Sequence, residues 1–547
     1  MKHLILFGSA ASIAIVVLLA LLPYFHTGFF PTHDGEWAVV RLTDMFRLLK
    51  DGQIPPRFSG NLNFGYGYPL FNFAYPFPYY LGVLIHSLGV GFVSTIKIIF
   101  AGSVVVSAIG MFLLSKSFWK STLAGLISSI LYVYLPYHFV DLYVRGSIGE
   151  SIAFALFPLI LYCLFKLTQR SSLGIWFVSM SVSYGVLILS HNIMAILFTP
   201  IIIMFVMYIW ILHGKKTIVS VVAALLSGLL LSLFFWLPAL LEKQYILLSV
   251  TPIADRSLYF VTLAQLIFPS WGYGTPTESG AFTYHLGFPH LVAFVVSVLL
   301  VLLSKKLDKH TKSTSIMLMT GVCLFVLLLF SFTAPLWNAL PFLSEINYPW
   351  TMLAPIGFLM CFLAGFLTIA KWSRYIGIGL AILAIVMFLP YAKPSRYIDK
   401  GDMFYLTNDA TTTSSNELMP LWVTVHPKNR VDEKVQIVKG VGKVTDVVSS
   451  SNQFSFHVVL VSDSTVRVNT IYYPGWKIFA NNIDQKITYS NPSGTMEFAL
   501  DSGTYTIAGK LTETPVRLLS NSISVLTGIG LFAFTTIQLV TKKKKHA

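Results

Sequence analysis

The sequence predicts a polytopic α-helical membrane protein of about 12 spans with a small β-sandwich near its C-terminal end. Three observations predict it. The 547-residue chain is 55% hydrophobic and only 11% charged, with a mean hydropathy of +0.71. A water-soluble chain has no means of burying that much apolar surface. Apolar runs of about 20 residues, the length that crosses a bilayer, recur along the chain. Beyond Lys393 those runs give way to short alternating ones, which is the period of a strand.

In chain order the expected spans are 4–26, 95–115, 121–138, 150–167, 174–190, 193–212, 217–240, 287–304, 315–333, 350–370, 375–392 and 518–540. The first run continues from Leu4 to Phe25. It exceeds the ~7–15-residue core of a signal peptide and reads as a retained anchor. Basic clusters between spans set the orientation. Lys116/Lys120, Lys166/Arg170, Lys215/Lys216, Lys305/Lys306/Lys309/Lys312, Lys371/Arg374 and Lys542–Lys545 all fall on the cytoplasmic side if residues 78–92 do not span. That stretch contains Pro78, His86 and Gly89 and is short, which suits a helix lying on the membrane. The expected location is the plasma membrane, with both termini cytoplasmic and loop 27–94 outside.

Alternation marks Lys434–Val438, Phe454–Val459 and Thr465–Ile471, with turn signals at Ala480-Asn481-Asn482, Asn491-Pro492-Ser493-Gly494 and Asp501-Ser502-Gly503. Residues 430–515 therefore read as an antiparallel β-sandwich outside the membrane. The chain divides into a transmembrane domain (1–392), an extracytoplasmic β-rich domain (393–517) and a final span with a basic tail (518–547).

Composition excludes several functions. The net charge of +15 lies largely in the short loops, so it marks topology and not a nucleic-acid partner. Cys163, Cys323 and Cys361 all fall in apolar segments and give no disulfide framework. There is no phosphate-binding P-loop, dinucleotide glycine pattern or nucleophile elbow.

The chemistry gathers in the first outer loop. Asp34 and Glu36 stand just beyond the first span. A carboxylate in a cleft of low dielectric serves as a general base, which sugar transfer requires of an acceptor hydroxyl. The competing reading is a solvated pair capping the helix that begins near Trp37. Arg41 follows about one turn later and suits a phosphate. Phe64–Pro69 and Tyr75–Tyr80, including Tyr79, form an aromatic, turn-rich floor. Membrane anchoring and sugar or lipid packing both account for it. Arg145 and Glu150 lie on the next outer loop, either holding a phosphate or paired with each other. His191 and Asn192 interrupt an apolar stretch, and Trp350 closes a rim at Tyr348-Pro349-Trp350. His285 and His290 lack a third ligand at a convincing spacing.

In order, His33-Asp34-Gly35, Asp51–Pro55, Gly65–Pro69, Pro78–Gly82, Tyr143–Gly146 with Glu150, Ser190-His191-Asn192, Tyr348-Pro349-Trp350 and Tyr472–Trp476 resemble the GT-C superfamily of membrane glycosyltransferases. More narrowly they are similar to the bacterial 6-pyruvoyl-tetrahydropterin synthase-related and YfhO-like membrane proteins. The resemblance implies a GT-C-like fold. It also implies sugar transfer from a polyprenyl-phosphate donor to a cell-envelope glycan or lipid acceptor, with Asp34 as base. Relatives often carry Arg after the Pro-Trp pair, where this chain has Thr351. Metal use varies across the superfamily, so a divalent cation (Mg or Mn) on Asp34 and Glu36 stays open. The alternative expectations are a non-catalytic transporter or flippase for polyprenyl-linked glycans, which calls for broken helices and a polar path, or a scaffold that binds wall polymers.

Overall fold

The computed structural model describes residues 2–169, 173–213, 215–277, 282–304, 307–430 and 432–546. Arg170, Lys305 and Lys306 of the expected cytoplasmic clusters lie outside the described residues. The expected fold class is the one found: a mostly helical body followed by a small two-sheet domain.

Among the described residues, 8 helices are long and apolar enough to cross a membrane: Phe7–Phe25, Phe92–Phe118, Ile148–Leu167, Asn192–Ile211, Lys309–Leu327, Pro349–Thr368, Lys371–Tyr391 and Pro515–Gln538. Two further expected spans are shorter apolar helices, Gly174–Ser190 and Phe288–Leu303. The remaining two, 121–138 and 217–240, are not straight. They are bent pairs, Thr122–Val133 with Pro136–Arg145 at 44° and Ile218–Leu231 with Leu233–Tyr245 at 67°.

Each bend has a local cause. Leu135 precedes Pro136 and is extended, with φ −66° and ψ 127°, because the proline ring disfavours a helical neighbour on its N-terminal side. At the second bend Ser232 Oγ donates back to the carbonyls of Gly228 at 3.0 Å and Leu229 at 3.1 Å. A serine bonded in this way competes with the backbone ladder and tilts the helix.

The helix expected over 78–92 is Phe77–His86, at 10 residues too short to span. It packs under the helix Gly35–Lys50 so closely that a Cβ at Gly82 would lie 2.6 Å from the Leu42 side chain.

The C-terminal sheets are antiparallel throughout. Strands β1 (Val435–Lys439), β4 (Ser464–Ile471) and β7 (Thr495–Leu500) form one in the order β1-β4-β7. Strands β2 (Gly442–Ser449), β3 (Gln453–Leu460), β5 (Trp476–Ala480), β6 (Ile483–Gln485) and β8 (Gly503–Leu511) form the other, ordered β2-β3-β8-β5-β6. Phe454, Phe456, Val458 and Leu460 alternate inward along β3 and meet Val466, Val468, Met496 and Phe498 in one buried core. Period-2 patterning produces this two-layer packing.

Residues 393–429 are more than a connector. Phe29 and Ile398 exchange both backbone bonds at 2.7 Å. Phe64 N–H donates to Asp409 O at 2.7 Å, and Tyr68 Oη pairs with Thr412 Oγ1 at 2.9 Å. The sheets also hold the first loop. Ile471 N–H donates to Tyr66 O at 2.8 Å, Lys434 Nζ to Gly65 O at 2.7 Å, and Ser451 N–H to Asp51 Oδ2 at 2.8 Å. The first loop is thus clamped between helices on one side and β-structure on the other.

Candidate functional site

Asp34 sits at the N-cap of the helix Gly35–Lys50, yet its side chain makes no capping bond. The backbone fixes its place instead. His33 N–H donates to Val144 O at 3.0 Å and Asp34 N–H to Arg145 O at 2.8 Å. This short ladder requires Gly146, which is left-handed at φ 63° and ψ 36°. A Cβ there would collide with the Thr32 hydroxyl and lie 2.9 Å from Gly35 N. The result is a half-exposed carboxylate with no hydrogen bond or ion pair to any described residue.

Arg145 is close by and fully engaged. It pairs with Glu150, approaches Asp141 Oδ1 at 3.6 Å, and lies 4.7 Å over the Trp350 ring. Tyr137 Oη donates to Glu150 Oε1 at 2.6 Å and Ser151 Oγ to Asp141 Oδ2 at 2.6 Å. Asp141 and Glu150 are both completely buried. Sequence left Arg145 and Glu150 between a phosphate site and mutual pairing; the structure has the pair. Burial of acids at this depth is tolerated because each is bonded.

The aromatic floor lies beside Asp34. Tyr75 stacks on Tyr79 with centroids 6.3 Å apart and on His191 at 5.3 Å. Gly149 allows this approach, since a Cβ there would lie 2.8 Å from the Tyr75 ring. His191 Nδ1 accepts from Met194 N–H at 3.2 Å. Burial holds its imidazole down at about 4; Glu150 opposes the shift and Arg145 adds to it, so the ring is neutral at pH 7. His33 is also lowered, first by burial and then by the Arg145 charge.

Arg41 also lies against the floor, near Tyr68, Tyr75 and Tyr79. Its guanidinium bonds Thr412, through Nε to Oγ1 at 3.1 Å and through Nη2 to the carbonyl, and lies beside Tyr79. No carboxylate pairs with it among the described residues. Seven residues separate Asp34 from Arg41, about two helical turns and roughly 10 Å along one face.

Glu36 is drawn elsewhere. Lys400 Nζ donates to its Oε1 at 2.8 Å and Tyr405 Oη at 3.2 Å. Asp34 and Glu36 are two residues apart, a spacing that points side chains to different sides of a helix. No cluster of three or more potential His, Cys, Asp or Glu metal ligands occurs among the described residues.

Asp34, Arg41, Tyr79, Arg145, Glu150, His191 and Trp350 therefore gather around one site, while Glu36 faces Lys400. Sequence reasoning passed over Tyr137 and Asp141 as functional residues. The available signal was the spacing of Tyr137, Asp141 and Arg145 at every fourth position, one face of a helix.

An apolar cleft of about 350 Å³ opens on the flank of the site. Its walls include Tyr184, Ile188, Ile196, Leu229, Trp236 and Leu240, and Asn192 brings it to the residue beside His191.

An uncharacterized protein of Lactococcus lactis subsp. cremoris (strain MG1363) is 24% identical over 239 residues, 42% of this chain and 38% of that protein. The chain thus spans about two fifths of that relative's length. Among solved structures, the Archaeoglobus fulgidus oligosaccharyltransferase in its apo form is similar with a TM-score of 0.46 and 14% identity, over 73% of this chain and 56% of that one. The arabinofuranosyltransferase AftD from Mycobacteria gives 0.46 and 14% over 70% and 26%. ArnT from Cupriavidus metallidurans bound to undecaprenyl phosphate gives 0.32 and 12% over 74% and 85%. The profile of the 6-pyruvoyl-tetrahydropterin synthase related domain, described as a membrane protein, matches residues 71–395. That stretch carries every gathered site residue except Asp34 and Arg41. It is more than half of the chain, and the protein belongs to this family of membrane proteins.

Proposed function

We propose that the protein is a membrane glycosyltransferase that moves a sugar from a polyprenyl-phosphate-linked donor to a cell-envelope glycan or lipid acceptor on the outer face. One observation carries the reading. An acid without a partner among the described residues, Asp34, and an arginine without a carboxylate, Arg41, both lie within electrostatic reach of the same two tyrosines, Tyr75 and Tyr79. A base and a cation set apart in this way suit a reaction that removes a proton at one end and releases a phosphate at the other.

In this mechanism Asp34 takes the proton of the acceptor hydroxyl as its oxygen attacks the anomeric carbon. The bond from that carbon to the lipid phosphate breaks, and its electron pair leaves on the phosphate oxygen. Arg41 stabilises that developing charge. Arg145 is held by Glu150 and Asp141, so it braces the backbone that positions Asp34 and presents Trp350 to the site. Tyr75 and Tyr79 offer ring faces to a sugar, and the apolar cleft beside Asn192 suits an isoprenoid chain. A divalent cation recruited to this site would rest on Asp34 alone of the two acids, since Glu36 is bonded to Lys400.

The test is mass spectrometry of surface glycans and glycolipids in cells carrying Asp34→Asn at matched membrane abundance. Loss of one sugar decoration with accumulation of its bare acceptor is the expected result. Unchanged glycans overturn the assignment.

The second reading is a transporter for polyprenyl-linked glycans, favoured by the two bent helix pairs. The buried acids and arginines oppose it. Asp44, Arg57, Asp141, Glu150, Glu242 and Arg517 gather at the Asp34 end of the helices and do not line a path through them. A transporter defect would leave the donor lipid trapped on the inner leaflet, which leaflet-specific labelling reads directly.

A further inference from the structure

A cavity of about 930 Å³ is at the other end of the helices. It lies where Phe92–Phe118 and Ile148–Leu167 finish and where Thr122–Val133, Lys309–Leu327 and Lys371–Phe388 begin. The Ile148–Leu167 helix starts beside Arg145, and its 20 residues span roughly 30 Å, about the thickness of the apolar bilayer core. The basin is therefore a separate site, one membrane thickness from Asp34.

Its lining is two-sided. Lys120, Arg374, His310, Thr311, Ser121 and Gln169 supply polar groups, and Phe118, Trp119, Phe165 and Phe366 supply rings. Trp119 forms a fixed wall: Nε1 donates to Phe362 O at 3.0 Å, and the ring packs on Gly365. Lys120 comes from the turn before Thr122–Val133 and Arg374 from the first turn of the helix Lys371–Phe388, and neither side chain pairs with any described residue. The acid in the lining, Asp308, accepts from Thr311 N–H at 2.9 Å as a helix cap. A narrow apolar slot continues into the helix layer between Leu114, Leu161, Leu164 and Phe205, sharing Phe118, Phe165, Thr168 and His310 with the basin.

We propose that this basin seats the phosphate of an anionic membrane lipid, with its headgroup between Lys120 and Arg374 and its apolar part against the wall of rings. Two cations without a partner among the described residues, in a basin walled by aromatic rings, suit a phosphate ester, and basic pockets between membrane helices are a recurring form of headgroup site. The rings of Phe118, Trp119, Phe165 and Phe366 and the place of the basin at the ends of the membrane helices favour a lipid over free phosphate. The proposal does not rest on glycosyl transfer, and Asp34→Asn should leave it intact.

The test is native mass spectrometry of the purified full-length protein titrated with phosphatidylglycerol, phosphatidylcholine or inorganic phosphate. The expected result is one phosphatidylglycerol retained in preference to phosphatidylcholine. Lys120→Ala with Arg374→Ala should weaken it roughly 30-fold. Lys120→Arg should keep it, as should Lys371→Ala, which removes a neighbouring charge outside the basin. Both lining cations are exposed, and matched thermal unfolding checks that the double variant is folded. Equal retention of phosphatidylcholine, or undiminished binding by the folded double variant, overturns the site. Displacement of the lipid by millimolar inorganic phosphate overturns the lipid as occupant.

Discussion

Two polar clusters hold the first loop against the helices, and they differ in what they leave unsatisfied. Around Glu242 every carboxylate oxygen is bonded. Arg517 donates from Nε at 3.0 Å and Nη2 at 2.7 Å, Asn72 at 2.8 Å, Tyr473 at 3.3 Å and Thr514 at 2.7 Å. Arg517 is completely buried, with its guanidinium 5.1 Å from the Tyr473 ring. Around Asp34 the backbone is equally fixed, but the carboxylate itself is bare and half-exposed. A closed network lowers the energy of one arrangement, while an open acid retains its capacity to take a proton. The first cluster is a brace that joins loop, bent helix, β-sandwich and final span. The second is a place for chemistry.

The largest effect expected from this contrast is at Asp34. Asp34→Asn should lower sugar transfer by roughly 10²- to 10⁴-fold, the range of a lost general base. It should shift stability by no more than about 0.5 kcal/mol, since no described bond is lost. Transfer rates and thermal unfolding of purified protein read the two together. A large loss of stability would make Asp34 part of the frame and erase the distinction.

Arg517→Leu should do the reverse. Glu242 would be left buried and unpaired, at a cost of about 3–5 kcal/mol, and thermal unfolding should show it. Adding Glu242→Gln should recover part of that loss because the stranded charge goes with it. If Arg517→Leu unfolds like the parent, the network is not a brace.

The two clusters were unequally legible. Asp34 was readable because an acid beside a membrane anchor is conspicuous, and Arg145 and Glu150 because charge at a span boundary is costly. The β-sandwich was readable from period-2 runs such as Phe454–Leu460. Glu242 with Arg517 and Glu36 with Lys400 are 275 and 364 residues apart, and one sequence carries no signal of such pairing. The bend at Ser232 was hidden for a related reason: a serine in an apolar run looks like any small residue until its hydroxyl bonds backward. Pro136 was a visible warning, but the run continued apolar through Val140 and read as one span.

Asp44 sharpens the comparison from inside the same helix. It is 1% exposed, and neither carboxylate oxygen has a hydrogen-bond partner. Burial pushes it up to about 6 from 3.8, with nearby Ser59 and Arg47 opposing. The folded state thus binds this proton more tightly than the unfolded chain. Its contribution to stability is fullest below about pH 4, falls as pH rises toward about 6, and is level beyond. A shift of this size corresponds to about 3 kcal/mol. Asp44→Asn should raise stability at pH 7 by about 2–3 kcal/mol and remove that slope from the variant's curve, so that the two curves diverge as pH rises from about 4 to about 6. Unfolding measured from pH 4 to pH 7 checks it, and a parallel pair of curves would be evidence against a protonated Asp44.

The smallest effect belongs to Glu36, and it decides whether the first-loop acids act together. Its carboxylate and the Lys400 ammonium are 28% and 32% exposed, so the pair is worth about 1 kcal/mol or less. Glu36→Gln should shift stability within that bound and lower transfer by less than about tenfold, since Glu36 points to Lys400 and Asp34 keeps the proton-transfer role. A loss equal to that of Asp34→Asn would mean that the two carboxylates meet in the working state, through a shared cation or a rearranged Lys400. The boundary between bare acid and bonded brace would then run through the Gly35–Lys50 helix itself, with Glu36 on the chemical side.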